Sequence, residues 1–445
     1  MGTSPAVHVI SLGCAKNLVD TEVMCGALVT EGFCLAEASR DADVLLINTC
    51  GFIRDARKES EDAIQRALKW KTRRAGRLVA VAGCLVQRNP QQVAQDYPDI
   101  DLLLGLDDLR RLPELLRQAQ ARQSPAIPTG CLPTFLYNEQ TPRMPLTPAT
   151  FGYIKIAEGC DHRCAYCAIP LIRGRQRSRS VSSVLAECRQ LLSLGMRELN
   201  LIAQDTSRYG EDLKDGTCLE KLLREIDTLP GEFWVRVLYT HPLHITDGLL
   251  DALAHSRHVV PYLDMPLQHI ATNVLHRMGR GMDGQATRAL LAAIRGKYPN
   301  LAFRTTFLVG FPGETSDDFE ELLSFVRDFR FDRLGAFAFS PEEGTPAAAM
   351  PDQISPRVAA RRRNILLATQ QEISLENNQR MVGKVMEVLL EEKIRRREWQ
   401  GRSPFDAPDV DQTVTVTARP GRKAPGFARV TITAASEYGW SATEN

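Results

Sequence analysis

A short loop with three cysteines places the tightest restriction on how this chain folds. Cys160, Cys164 and Cys167 are separated by three and then two residues, so one loop brings three thiolates to a single small centre. Structural zinc sites use four protein ligands, and no fourth ligand completes that pattern here, because we expect His162 to point outward. A cubane iron–sulfur cluster takes one thiolate per iron, so three cysteines leave its fourth iron open. The spacing therefore favours an iron–sulfur site over zinc and over a chance cluster of cysteines.

Three further cysteines occupy equivalent places in the first third of the chain. Three apolar runs are each followed by a helix-like stretch, which predicts a parallel sheet with helices on its faces. The runs cover residues 7–12, 43–48 and 77–82. Cys14, Cys50 and Cys84 follow these runs, each beside a glycine, and open parallel sheets gather their ligands at this edge. We therefore expect the thiols to converge on a second cluster with an open iron, although buried strand cysteines commonly need no metal.

The middle of the chain predicts a partial (βα)6 barrel, because six apolar runs alternate with helical stretches. The runs cover residues 153–157, 198–203, 234–239, 259–265, 303–309 and 334–339. The three-cysteine loop follows the first run, and active sites of such barrels lie at the carboxyl ends of the strands. Polar sequences follow several of the other runs, for example Gln204-Asp205 and Gln268-His269. The pattern by itself identifies no catalytic acid, base or nucleophile.

The remaining segments set the domain boundaries. A proline-rich stretch indicates a linker, a helical pattern over 355–380 is expected to cross the barrel, and short strands at 385–390, 413–417 and 428–433 predict a small antiparallel, OB-like β-barrel. The expected parts are residues 1–121, 122–148 for the linker, 149–380 and 381–445.

Two charged stretches leave their roles open. Arg173, Arg175, Arg177 and Arg179 form either a solvated face or an anion-binding or docking surface. The acidic residues of 405–411 interrupt the basic charge of the last domain, which argues against a phosphate-binding face and favours a basic protein partner.

Charge and cysteine content limit the cell compartment and the partners. The net charge of +1 gives no overall attraction to nucleic acid or membranes. No apolar run reaches the roughly 18 residues of a membrane span, so we expect no membrane contact. Eleven cysteines, an odd number with metal-type spacing, indicate a reducing compartment, and we expect a cytoplasmic location.

Taken together, these motifs resemble the radical S-adenosylmethionine (SAM) methylthiotransferases. That family joins an amino-terminal cluster domain, a radical SAM barrel and a carboxyl-terminal TRAM domain. The motifs are Ser-Leu-Gly-Cys-Ala-Lys-Asn at 11–17, Asn-Thr-Cys-Gly-Phe-Ile at 48–53, the loop at 160–167 with the following Ala-Ile-Pro, and Gly-Phe-Pro-Gly-Glu-Thr at 310–315. The segments 14–20, 198–205, 339–345 and 401–409 look like the RimO-like branch, which modifies an aspartate of small-subunit ribosomal protein twelve. Ala15 departs from that branch, which usually has proline there.

The resemblance implies two 4Fe–4S clusters and SAM as cosubstrate. SAM would bind the open iron at Cys160, Cys164 and Cys167, and a radical derived from it would remove hydrogen from the β-carbon of the aspartate. The cluster at Cys14, Cys50 and Cys84 would supply or present sulfur, and a second SAM the methyl group. The expected SAM contacts are Tyr166, Glu198, Asn200, Gln204, Gln268 and the backbone of Val309 and Gly310.

The resemblance also implies partners and a geometry. The partners are the ribosomal protein, free or in the ribosome, an electron donor such as flavodoxin or ferredoxin, and a sulfur donor. The two open irons must face each other, so we expect the amino-terminal sheet edge to cap the barrel mouth. Two alternatives remain open at this point: a MiaB-like enzyme that modifies an adenosine of transfer RNA, and a non-catalytic iron–sulfur protein that binds RNA or transfers electrons.

Overall fold

The computed structural model describes residues 5–121, 127–128 and 130–445, and its first part is a five-stranded parallel sheet in the order β2-β1-β3-β4-β5. The strands are β1 (Ala6–Ser11), β2 (Cys34–Leu35), β3 (Val44–Thr49), β4 (Leu78–Gly83) and β5 (Leu102–Leu104). The helices are α1 (Ala15–Thr30), α2 (Arg54–Lys71), α3 (Cys84–Arg88), α4 (Pro90–Asp96) and α5 (Leu112–Gln120). Alternate β3 residues point to opposite faces, so Leu46 packs with α1 and α5 while Leu45 packs with α2. The structure confirms the predicted parallel α/β domain.

The segment between the first two parts is tightly bound to both. Residues 122–126 and 129 of the expected linker lie outside the described residues. Arg143 donates to the carboxylate of Glu22 in α1 and to the backbone oxygen of Tyr153 in the barrel, both at 2.6 Å. Gly26 permits this crossing, because a Cβ there would lie 2.5 Å from the backbone of Pro142 and Arg143. The segment thus fixes the two domains against each other.

The middle part is the predicted six-stranded parallel barrel, built from the sheets β10-β9-β6 and β11-β12-β13. Its strands are β6 (Phe151–Lys155), β9 (Glu198–Ile202), β10 (Trp234–Val237), β11 (Tyr262–Asp264), β12 (Ala302–Val309) and β13 (Arg333–Ala338), with a hairpin of β7 (Ala157–Glu158) and β8 (Arg177–Ser178) after β6. Its helices are α6 (Ile169–Arg173), α7 (Val181–Ser193), α8 (Leu219–Asp227), α9 (Asp247–His255), α10 (Thr272–Met278), α11 (Gly284–Lys297), α12 (Ser316–Phe329) and α13 (Pro356–Gln379). The long helix α13 lies against β13 and α12, as predicted.

The last part is a closed five-stranded barrel in the order β14-β15-β16-β18-β17. Its strands are β14 (Val385–Lys393), β15 (Glu398–Arg402), β16 (Thr413–Thr417), β17 (Gly426–Ser436) and β18 (Gly439–Glu444). The small barrel is confirmed, with β15 and β18 as strands that the sequence did not predict. Among the described residues, no helix has the length and apolar character needed to cross a membrane.

The acidic loop between β15 and β16 closes the amino end of the central barrel. Arg333, the first residue of β13, donates to the buried carboxylate of Asp406 at 2.7 Å, and Arg304 of β12 donates to Asp411 at 3.2 Å. Arg402 of β15 pairs with Glu198, the first residue of β9. Asp406 and Asp411 therefore neutralise barrel arginines, and the expectation that they attract a basic protein partner is wrong.

Candidate active site

A cavity of about 410 Å³ lies where the carboxyl ends of the amino-terminal strands face those of the barrel strands. Both cysteine sets line it, one from each domain, and all six thiols are free. The six are Cys14, Cys50, Cys84, Cys160, Cys164 and Cys167. The amino-terminal sheet edge caps the barrel mouth, so two sets of thiols that are far apart in sequence share one enclosed space.

The amino-terminal set is assembled by three strand-to-helix turns. Cys14 is the N-cap of α1, Cys50 follows β3, and Cys84 begins α3. Gly13 has a φ of +90°, and a Cβ there would lie 2.9 Å from the Cβ of Cys50. Gly83 has a φ of +97°, and its Cβ would lie 2.2 Å from Oδ1 of Asn48. These glycines let the cysteine turns approach one another.

The second set lies on the loop after β7. Gly159 has a φ of +82°, and a Cβ added there would lie 2.0 Å from the backbone oxygen of Arg175. The absence of a side chain therefore lets the loop pass close to that oxygen. The amide of Cys160 donates to the oxygen of Gly174 at 3.0 Å, which fixes the start of the loop. Arg280 donates to Sγ of Cys164 at 3.6 Å. The loop is therefore fixed at its start, and a cation lies beside one of its thiols.

The chemistry of the donors fits iron–sulfur clusters. Thiolates are the usual protein ligands of such clusters, and each set provides three. Burial raises the pKa of Cys50 and Cys167 to about 12 and that of Cys160 to about 11. These thiols therefore keep their protons at neutral pH until a metal replaces them, so metal binding must release protons.

Arg173 connects the two cysteine sets. This buried last residue of α6 donates through Nη2 to Sγ of Cys84 at 3.2 Å, across the domain boundary. Through Nη1 it contacts Asp20 of α1 at 2.8 Å and Glu158 of β7 at 2.9 Å. Lys155 pairs with the same two carboxylates.

The other members of the arginine run point elsewhere. Arg179 is buried against Glu187, whereas the Arg175 side chain is 87% exposed. The run is therefore not one surface: Arg173 contacts buried anionic groups, whereas Arg175 is solvated.

The expected SAM contacts divide into two groups. Tyr166, Gln204 and Gln268 line the cavity, and Gln204 donates to Glu158 at 2.6 Å. Gln268 has a φ of +71°, a backbone conformation uncommon for a non-glycine residue and frequent at functional sites.

Four of the expected contacts lie away from the cavity lining. Both Glu198 oxygens bind arginines, Arg236 at 2.8 Å and Arg402, and Asn200 is buried within β9. Val309 packs in the barrel core, and the Gly310 amide donates to Glu314. The structure gives these residues roles within the barrel, so we no longer expect Glu198 to contact SAM.

Several cavity residues were not recognised in the sequence. Lys16 lies within the first cysteine motif, Tyr239 and His241 follow β10, and Arg280 lies between two glycines, a signal that could have drawn attention to it. His162 was expected to point outward, but it lines the cavity, bonds Asp205 at 2.6 Å and stacks on the ring of His241. That expectation is wrong, because a carboxylate at the end of β9 turns the ring inward.

Comparisons with known proteins agree with this architecture. The uncharacterized protein family UPF0004 matches residues 6–105, the radical SAM superfamily 154–326 and the TRAM domain 382–443. A ribosomal protein uS12 methylthiotransferase RimO from Desulforamulus reducens is 42% identical over 98% of each chain. Another from Pelobacter propionicus is 43% identical over 93% of this chain and 92% of its own.

A solved structure shares the fold at lower similarity. The radical SAM methyltransferase TsrM from Kitasatospora setae, with cobalamin and a 4Fe–4S cluster bound, is 17% identical with a TM-score of 0.56 over 77% of each chain. Fold, thiol-lined cavity and superfamily match define a radical SAM enzyme, a class that uses SAM and a 4Fe–4S cluster. Identity of about 42% over nearly the whole length is more specific. The chain belongs to the family of ribosomal protein uS12 methylthiotransferases named RimO, the branch that its motifs predicted.

Proposed function

We propose that this protein inserts sulfur and a methyl group at the β-carbon of an aspartate of ribosomal protein uS12, using two 4Fe–4S clusters. The observation that carries the proposal is the single cavity lined by two sets of three thiols from two domains. The names of the full-length relatives supply the substrate protein. An external electron donor, such as flavodoxin or ferredoxin, an external sulfur donor and a cytoplasmic location complete the proposal.

The residues of the chain then have separable tasks. Cys160, Cys164 and Cys167 hold one cluster, and Cys14, Cys50 and Cys84 hold the other. When bound, the clusters and SAM supply the one-electron and sulfur chemistry, which side chains do not provide.

Other cavity residues orient these groups and shield them. Arg280 and Arg173 donate to thiolates and reduce the charge that each cluster brings into a buried site. Tyr166, Gln204 and Gln268 line the space in which SAM is oriented. The cap formed by the amino-terminal domain keeps water from the reacting atoms.

The first test is the metal content of the protein. After anaerobic reconstitution we expect about eight irons and eight sulfides per chain, because each cubane holds four of each. About four irons per chain, with four remaining after replacement of the amino-terminal cysteines, would refute the second cluster.

The second test separates the two cysteine sets. We expect Cys164→Ala to abolish reductive cleavage of SAM to 5′-deoxyadenosine, because the cluster that binds SAM loses a ligand. Cys50→Ala should retain that cleavage and lose sulfur insertion into uS12, measured by mass spectrometry. Cys218→Ala, outside the cavity, is the control and should do both. Full methylthiolation by either cavity variant would contradict the assigned roles.

A further inference from the structure

The cavity contains a buried cation for which the protein provides no anion. The Lys16 side chain is largely buried, and its Nζ lies 3.3 Å from the centre of the Tyr239 ring and 3.4 Å from the backbone oxygen of Ala203. In the part of the chain that the structure describes, these are its only polar or π partners, and no carboxylate pairs with it. A buried charge is costly unless an opposite charge accompanies it. A ligand of the cavity is therefore expected to bring a negative charge to Lys16.

Among the described residues, Lys16 donates no hydrogen bond to a cysteine of either set. Arg173 already lies against Cys84 and Arg280 against Cys164, so each cysteine set has its own guanidinium. Lys16 instead reaches from α1 toward the tails of the barrel strands, where it lies over Tyr239.

The backbone beneath Lys16 is held in an unusual conformation. Tyr239 has a φ of +65°, which is rare for an aromatic residue and strains the backbone. The amide of Tyr239 donates to Asp264 at 2.9 Å and its carbonyl accepts from Thr206 at 3.0 Å, which hold it there. Two of the non-glycine residues with positive φ, Tyr239 and Gln268, line the cavity, and such conformations are frequent at binding sites.

Two residues further on, His241 lines the same cavity. Its Nδ1 accepts the amide of Leu243 at 3.3 Å, so the proton of the neutral ring is on Nε2. Among the residues that the structure describes, this buried Nε2 has no hydrogen-bond partner, and only 5% of the residue is exposed. An unpaired buried donor destabilises the folded protein and is a candidate ligand contact.

A metal ion is a poorer candidate ligand for this part of the cavity than an anion. The ring nitrogens of His162, His241 and His244 lie within 4.8 Å of one another. A metal would need the lone pair of His241 Nε2, but the bond from Leu243 to Nδ1 leaves a proton on that nitrogen. The rings of His162 and His241 are also stacked, 4.2 Å apart at 17°, so their nitrogens point side by side and do not converge. These histidine rings are therefore arranged to donate hydrogen bonds and not to bind a metal ion.

We propose that Lys16 and His241 form a carboxylate-binding subsite, and that its occupant is the side chain of the uS12 aspartate. The inference rests on the proposed function, in which the reacting β-carbon is bonded directly to that carboxylate. Lys16 follows Cys14 by two residues, so the subsite would hold the aspartate beside the cysteine set to which sulfur insertion is assigned. The carboxylate of SAM has the same chemistry and is the other possible source.

The test measures binding without turnover. Calorimetry records the affinity of cluster-loaded, unreduced enzyme for a uS12 peptide with the target aspartate, for the same peptide with asparagine, and for SAM alone. We expect Lys16→Met and His241→Leu to weaken binding of the aspartate peptide about 10-fold to 100-fold. Binding of SAM should change less than about threefold in both variants, and Lys16→Met should change binding of the asparagine peptide less than about threefold.

Conservative and control variants guard against misfolding. Lys16→Arg and His241→Gln keep a cation and an N–H donor and should recover most of the affinity. Lys69→Met removes an exposed lysine of α2 and should bind both peptides as the unchanged enzyme does. Circular dichroism and iron content confirm that each variant is folded and loaded.

Each outcome has one reading. Weaker SAM binding with unchanged peptide binding would assign the subsite to the SAM carboxylate. Unchanged affinity for both ligands, or a change only in the reduction potential of a cluster, would overturn the subsite. If the unchanged enzyme fails to methylthiolate the aspartate peptide, the proposed function itself fails, whereas active enzyme with unaffected variants refutes the subsite alone.

Discussion

At the scale of single residues, Arg173 is the strongest link between the two cysteine sets. Its buried guanidinium contacts one thiol and two carboxylates. Removing one partner of a buried ion pair leaves the remaining charges unpaired. We expect Arg173→Gln to lower the free energy of unfolding of the cluster-free protein by about 3–5 kcal/mol, measured by urea denaturation.

The matched control variant is at Arg175, two residues after Arg173. Arg175 is exposed and pairs with Asp161 at 3.3 Å, so Arg175→Gln should change stability by less than about 1 kcal/mol. Equal losses in the two variants would show that the connection through Arg173 is not structural.

Gly83 permits a second prediction at this scale. Gly76 and Gly83 both have positive φ, but a Cβ at Gly76 would meet nothing within 4 Å, whereas one at Gly83 would meet Asn48. Gly76→Ala should therefore cost about 1 kcal/mol from backbone strain alone. Gly83→Ala should cost more and also lower the iron content, because it displaces Cys84. Similar iron content in both variants would contradict this account.

The cysteines could be predicted from the sequence because their positions follow local rules. Spacing within a loop and placement after a strand are both visible in one dimension. The cavity contacts of Lys16 and His241 could not be predicted from the sequence, because each depends on an element that folding brings from elsewhere in the chain. Glu198 was misjudged for the same reason: a strand pattern shows that the residue points inward, but not that Arg402 of another domain covers it.

At the scale of elements, regular segments were predicted and irregular ones were not. The six barrel strands are apolar runs, whereas β15 (Glu-Trp-Gln-Gly-Arg) and β18 (Gly-Trp-Ser-Ala-Thr-Glu) have few β-branched residues and pair mainly because their neighbours do. The acidic loop after β15 shows most clearly what sequence patterns cannot predict, because no feature of the local sequence distinguishes a buried carboxylate from a solvated one.

That loop and its strand make a pH-dependent connection to the barrel. Burial tends to raise the pKa of Glu198, but Arg402 and Arg236 outweigh it and lower the pKa below its usual value. The Glu198 carboxylate therefore contributes stability above its unfolded pKa of about 4.3, and the contribution is lost as pH falls through the folded pKa.

The corresponding variant is Glu198→Gln. At pH 7 it should be less stable by about 3–5 kcal/mol, because Arg236 loses its counter-charge and Arg402 keeps only Glu391. The difference from the unchanged protein should shrink below pH 4, measured by urea denaturation of cluster-free protein at both pH values. A difference that stays constant with pH would refute the carboxylate's part in the connection.

At the scale of the whole molecule, buried ion pairs cross both domain boundaries. Lys155 and Arg173 pair with Asp20 at the first boundary, and Arg333 pairs with Asp406 at the second. Glu342 of the loop after β13 also accepts from Arg88 of α3 at 3.0 Å. Domains joined this way cannot separate without exposing unpaired charges.

We therefore expect one cooperative unfolding transition for the chain. Scanning calorimetry of the cluster-free protein should show a single peak, with circular dichroism and tryptophan fluorescence changing together. Three resolved transitions would show that the domains are stable separately and that the ion pairs contribute little.

The closed amino end of the barrel has a consequence for the order of events in catalysis. Among the described residues that line the cavity, Cys14 and Phe337 are the exposed ones. Ligands are therefore expected to enter and leave through the seam between the domains where these two residues lie. A ribosomal protein seated on that seam would obstruct a nucleoside trying to pass. SAM is thus expected to enter first and its spent nucleoside to leave last, so an excess of uS12 should inhibit competitively with SAM.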